Sequence, residues 1–139
     1  MNVWENEIKI EFDALSENEQ FARTTAAAYA SKFDPTVSEL TELKTAVSEA
    51  VTNSVIHSKT DKITMTLKRL KNTLRVEIKD YGIGIPDIGQ AMEPLFTTAE
   101  NDERSGLGFT VMQQFTDTLE VTSAKDGTTI IMTKKIGEE

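Results

Sequence analysis

Ile8, Ile10 and Phe12 alternate with Lys9, Glu11 and Asp13, the period of two that a half-buried strand requires. Ser16-Glu17-Asn18-Glu19 follows, a capping-box pattern with Ser16 as N-cap and Glu19 at N3. The helix it opens carries Phe21, Ala22, Ala28, Tyr29 and Phe33 and is expected to stop near Asp34, because Pro35 disfavours helical geometry before it. Thr36-Val37-Ser38-Glu39 repeats the capping pattern. It predicts a long second helix reaching about His57, with Leu40, Leu43, Val47, Ala50 and Val51 as its apolar stripe. Ile63, Met65 and Leu67 then alternate with polar residues, as do Leu74, Val76 and Ile78, with a short polar turn at Lys71-Asn72-Thr73 between them. That is a β-hairpin. From Asp80 to Gly108 the pattern is irregular and rich in glycine. A short helix over 108–115, a strand around Leu119 and Val121, a turn at Asp126-Gly127 and a last strand around Ile130 and Met132 complete the chain.

The order β-α-α-β-β-loop-α-β-β predicts an α+β two-layer sandwich. Its sheet should be mixed and mostly antiparallel, with the helices on one face. No repeat, low-complexity stretch or linker divides the sequence, so residues 1–139 are expected to form a single domain.

Composition narrows the chemistry. There is no Cys, which removes disulfides, thiolate nucleophiles and Cys-based zinc sites. A single His excludes multi-histidine metal sites. The net charge of -8 and pI near 4.7 are the reverse of a surface built to neutralise nucleic-acid phosphates. No run of 18 apolar residues is present to span a membrane, and the acidic N-terminus lacks an apolar signal core, so the expected compartment is the cytoplasm.

Four constellations remain. Glu49, Asn53 and His57 are spaced i, i+4, i+8 and share a face of the second helix beside Ala46, Ala50 and Val51. A carboxylate and an amide on a partly buried face need partners. Asp80-Tyr81-Gly82-Ile83-Gly84-Ile85-Pro86 leaves a strand end. There a carboxylate can accept from an exocyclic amine, a charged hydrogen bond of ~1.5–3 kcal/mol, and Gly82 and Gly84 allow backbone to approach a ligand. Arg104-Ser105-Gly106-Leu107-Gly108-Phe109 leads into a helix, where main-chain N–H groups form an anion site and Arg104 suits a phosphate oxygen. No Gly-Lys-Ser/Thr follows, so this is not a Walker A loop. Residues 93–103 have the length and polarity of a lid. Last, Gly127-Thr128-Thr129 places a hydroxyl at the start of the final strand.

The ordered set resembles the four ATP-site boxes of the GHKL superfamily, which includes gyrase, the heat-shock chaperone and histidine kinases. Ser48-Glu49-Ala50-Val51-Thr52-Asn53, Gly82-Ile83-Gly84-Ile85-Pro86-Asp87-Ile88, Pro94-Leu95-Phe96-Thr97-Thr98 and Glu103-Arg104-Ser105-Gly106-Leu107-Gly108-Phe109 are similar to the anti-sigma-F family of sporulating bacteria. The match runs from about Phe12 to Met132. The resemblance implies binding of ATP or ADP with Mg²⁺, sequestration of a sporulation sigma factor, and phosphorylation of a serine on an anti-anti-sigma (STAS-type) antagonist. It also implies a homodimer with no direct role for nucleic acid or membrane.

Carried over residue by residue, Asn53 corresponds to the Mg²⁺ ligand, as a hard amide oxygen allows. Glu49 corresponds to the general base, and Arg104 to a residue that steadies the γ-phosphate. Asp80 reads the adenine amine, with Gly82 and Gly84 beside the base. Ser105, Gly106, Leu107, Gly108 and Phe109 cradle phosphates through main-chain N–H groups. Thr97, Thr98 and Thr128 line the pocket, and Arg23 occupies the position that contacts both sigma and antagonist. His57 is expected to pack and not to accept phosphate, because the phospho-accepting helical hairpin of a sensor kinase is absent. Three alternatives stay open: an anti-sigma kinase of the general stress-response type, a non-catalytic ATP-gated sigma-binding module, and a free-standing sensor-kinase fragment.

Overall fold

The computed structural model describes residues 3–84 and 104–137, with only the backbone described at 104–107. Strand β1 (Asn6–Asp13) leads through a 3₁₀ turn (Ser16–Asn18) into α1 (Glu19–Ala30), and a second 3₁₀ turn (Ser31–Phe33) precedes α2 (Val37–His57). The hairpin β2 (Lys62–Leu70) and β3 (Thr73–Asp80) follows, then α3 (Arg104–Phe115), β4 (Thr118–Ala124) and β5 (Gly127–Lys135). The five strands form one sheet in the order β1-β2-β3-β5-β4. Every pairing among the described strands is antiparallel, within the mostly antiparallel arrangement expected.

The core lies between one face of this sheet and the helices. Leu43, Val47 and Val51 of α2 join Met65, Leu67, Val76, Ile78, Ile130 and Met132 from three central strands, with Met112 from α3. Each such side chain contributes ~1.5–3 kcal/mol on burial. The anticipated stripe of α2 is the buried one, with Leu40 packed at its margin. Its start is fixed as read: Thr36 Oγ1 accepts from Glu39 N–H at 3.0 Å, and Glu39 Oε1 accepts from Thr36 N–H at 2.9 Å.

Three expectations are corrected. The first capping box does not form. Ser16 belongs to the 3₁₀ turn, α1 starts at Glu19, and the Glu19 carboxylate instead accepts from Ser48 Oγ on α2 and pairs with Arg23. Phe21 and Ala28 lie on the exposed side of α1, whose buried stripe is Ala22, Ala26, Tyr29 and Ala30. The third helix begins at Arg104, four residues before the expected start at 108, so Gly106 and Gly108 are helical. In β1 only Phe12 is buried, since this strand is the sheet margin. The stretch 85–103, with Pro86, the expected lid, Thr97 and Thr98, lies outside the described residues.

Candidate functional site

The C-terminal half of α2, the end of β3 and the start of β5 converge on one cleft, lined by Asn53, His57, Ser58, Asp80, Gly84 and Thr128. Asp80 is its floor and is only 2% exposed. A buried carboxylate must be satisfied, and three donors do this. Gly82 N–H (3.1 Å) and Thr128 N–H (3.0 Å) both donate to Oδ1, and Ser54 Oγ–H donates to Oδ2 at 2.9 Å. Among the described residues, Oδ1 has two partners and Oδ2 has one. A carboxylate oxygen has two acceptor directions, so Oδ2 keeps one that these residues do not use.

The surrounding glycines fix this geometry by close approach. A Cβ on Gly82 would stand 1.8 Å from the Ser58 carbonyl oxygen, and Ile83 N–H donates to that same oxygen at 2.8 Å. Gly84 has φ 81° and passes so close to β4 that a Cβ would meet the Ala124 carbonyl oxygen at 2.1 Å. Thus the chain leaving β3 is clamped between the end of α2 and the end of β4. Thr128 is buried, its hydroxyl 3.0 Å from Ser123 Oγ and its N–H on Asp80.

Glu49 and Asn53 stand half-buried, one turn apart, on α2. Helix α3 packs on α2 at this level, and a Cβ on Gly108 would stand 3.2 Å from Glu49 Oε1. The first turns of α3 therefore lie beside Glu49. The N–H groups of the first turn, Arg104 to Gly106, have no partner within the helix and suit an anion. Gly108 and Phe109 stand deeper, where N–H groups bond along the helix, and Phe109 is buried. Arg23 is apart from the cleft, on α1, with its Nε 3.3 Å from Glu19 Oε2.

Comparison with known proteins gives this arrangement a family. Residues 12–134 match the model of the histidine kinase-like ATPase domain. An anti-sigma F factor of Caldanaerobacter subterraneus subsp. tengcongensis is 49% identical over 138 residues, covering 96% of each chain. Anti-sigma F factors of Bacillus licheniformis and Thermoanaerobacter sp. are 47% and 50% identical over nearly the same span. The chain belongs to the anti-sigma F factor family. Solved structures agree on the fold of this anti-sigma F family member. The RsbU and RsbW domains of Rv1364c from Mycobacterium tuberculosis superpose with a TM-score of 0.68 at 17% identity, over 96% of this chain and 33% of that one. The catalytic domain of the histidine kinase ThkA gives 0.59 at 17% identity, over 94% and 97%.

Within this family member, the cleft gathers Asn53, Asp80, Gly84 and Thr128, with Gly82 behind it and Glu49 against α3. Sequence reasoning overlooked Ser54 and Ser58. A signal existed: Val47, Val51, Ser54 and Ser58 continue one stripe at i, i+4, i+7, i+11, and hydroxyls on a buried stripe need acceptors.

Proposed function

We propose that this chain is a cytoplasmic anti-sigma factor and an ATP-dependent protein serine kinase. It holds a sporulation sigma factor and uses Mg²⁺ and ATP to phosphorylate a serine of an anti-anti-sigma (STAS-type) antagonist, working as a homodimer. The observation that carries this reading is the contact of α2 with α3, which sets the Glu49 carboxylate against the helix whose first turn suits a phosphate. No helix among the described residues is long and apolar enough to cross a membrane.

Asp80 Oδ2 accepts from the adenine amine, while its three protein donors keep the carboxylate fixed as an acceptor. The first turn of α3 receives phosphate oxygens, and Arg104 steadies the γ-phosphate. Among the described residues no group of three or more His, Cys, Asp or Glu could hold a metal by itself. Asn53 fits a hard cation that arrives with phosphates and water, and Mg²⁺, when bound, neutralises phosphate charge. Glu49 takes the proton of the acceptor serine as the serine oxygen bonds to the γ-phosphorus. The bond from that phosphorus to the bridging oxygen breaks, and its electron pair leaves with ADP. Arg23 lies on the partner-facing surface of α1.

The test is incubation with Mg²⁺, γ-labelled ATP and the antagonist. Label on an antagonist serine, reduced ~10²–10⁴-fold by Glu49→Gln while nucleotide binding survives, is the expected result. Binding without transfer by the parent protein refutes the kinase and leaves a non-catalytic, ATP-gated sigma-binding module.

A further inference from the structure

We infer that Gly108 is a positioning residue for Glu49: its missing side chain sets where the Glu49 carboxylate stands. The inference rests on the reading of Glu49 as the general base. Gly108 is the fifth residue of α3, inside the helix and buried. After proline, glycine is the poorest helix former, so this position carries a residue that local propensity opposes. Backbone freedom does not explain it. Among the described residues the glycines with positive φ are Gly84, Gly127 and Gly137, and Gly108 is not among them.

Space explains it. Among the described residues, a Cβ at Gly108 would have one neighbour within 4 Å outside its own helix, Glu49 Oε1 at 3.2 Å. That contact is tighter than ordinary van der Waals distance. The contrast with Gly82 is informative, because there a Cβ would strike the Ser58 main chain at 1.8 Å, an obstacle that cannot yield. At Gly108 the obstacle is the far end of a side chain. Alanine is accommodated if the carboxylate retreats by a few tenths of an ångström. A general base works within ~2.6–3.2 Å of the group it deprotonates, so a retreat of that size falls on the coordinate that governs proton transfer. Nucleotide affinity depends on Asp80 and the first turn of α3, which this displacement leaves alone.

The experiment is a double-mutant cycle on the full chain, using Mg²⁺-ATP and the antagonist. Gly108→Ala should lower kcat for transfer about tenfold, with the nucleotide Kd within twofold of parent and a melting temperature unchanged or raised, as helix propensity dictates. Glu49→Asp withdraws the carboxylate by one methylene. In that background Gly108→Ala should change kcat by less than twofold. Equal losses in both backgrounds, no loss in the parent, or a Kd that weakens in step with kcat would overturn the assignment. A second measurement does not depend on transfer: the side-chain carboxylate ¹³C resonance of Glu49, identified by its loss in Glu49→Gln, should shift in Gly108→Ala. An unmoved resonance refutes the contact. A moved resonance in a protein that transfers no phosphate upholds the contact and refutes the kinase.

Discussion

Replacing Asp80 by Asn tests the floor of the cleft with the smallest possible change. The two side chains have the same shape, and the three donors around residue 80 stay in place. The amide oxygen takes the position of Oδ1, because the Gly82 and Thr128 N–H groups both point there. The NH₂ group then takes the position of Oδ2, and the Ser54 hydroxyl turns to accept from it. Three charge-assisted bonds become neutral. Charged bonds contribute ~1.5–3 kcal/mol and neutral ones ~0.5–1.5, so the fold loses roughly 3–4 kcal/mol and still folds. Asp80→Ala is a poorer tool, since it strands three buried donors at ~1–3 kcal/mol each against a whole-domain stability of ~5–15 kcal/mol. The ligand meets a larger change, because an NH₂ group now faces the adenine amine, donor against donor. Loss of one charged hydrogen bond corresponds to a roughly 10- to 150-fold weaker ATP complex. A 6-oxo purine presents an acceptor at the same place, so the ratio of GTP to ATP affinity should rise. Calorimetric titration with both nucleotides and urea unfolding measure these quantities. An ATP Kd within twofold of the parent, with no gain for GTP, would refute Asp80 as the purine-reading group.

Three further outcomes are expected. Arg23→Glu should weaken capture of the sigma factor at least tenfold in a pull-down titration and leave ATP affinity unchanged, because Arg23 does not line the cleft; a parallel loss of ATP binding would contradict that separation. The N–H groups of Thr36 and then Gly137, both donating to the Glu39 carboxylate, hold its pKa below the ordinary 4.5. Its contribution to stability is thus complete above that value and fades as pH falls through the lower folded-state pKa, so Glu39→Gln should flatten the acid limb of a urea-stability profile below about pH 4.5. Lys134, largely buried, donates to Glu42 Oε1 at 2.9 Å and to the Phe115 carbonyl at 2.7 Å, binding α2 and the end of α3 to β5. Lys134→Met keeps the stem, leaves that carbonyl without its donor and should cost about 1–3 kcal/mol in denaturant unfolding; an unchanged midpoint would reject the staple.

The sheet and α2 were legible because local and tertiary demands coincide there. Alternation at positions 63–67, 74–78 and 130–132 is the alternation of buried and half-buried positions in the sheet, broken only by the buried Thr66. The Thr36–Glu39 box forms because both of its members lie in the chain segment they cap. The Ser16–Glu19 box has the same spelling and fails, since Glu19 finds partners in Ser48 and Arg23 that no local pattern reveals. At the start of α3 the glycines signalled a loop. In the structure Arg104–Leu107 are helical all the same.

The site was legible where chemistry marked it and hidden where support was supplied by ordinary residues. Glu49, Asn53 and Asp80 stand out because a charge or amide beside apolar neighbours requires an explanation. Ser54 and Ser58 do not stand out, yet one fixes Asp80 Oδ2 and the carbonyl of the other receives Ile83 N–H from the turn after β3. Positions 48 to 58, the C-terminal half of α2 and its cap, thus reach each described part of the site. Ser48 meets α1, Glu49 meets α3, Asn53 lines the cleft, and Ser54 and Ser58 hold the strand end that carries Asp80. A shift of α2 along its axis would move the Glu49 carboxylate, the Asn53 amide and the Ser54 support of Asp80 together. The Glu19–Ser48 bond ties α1 to this stretch of α2. On the proposed reading, a partner seated on α1 presses on the helix that carries Glu49, and Arg23 need not approach the nucleotide.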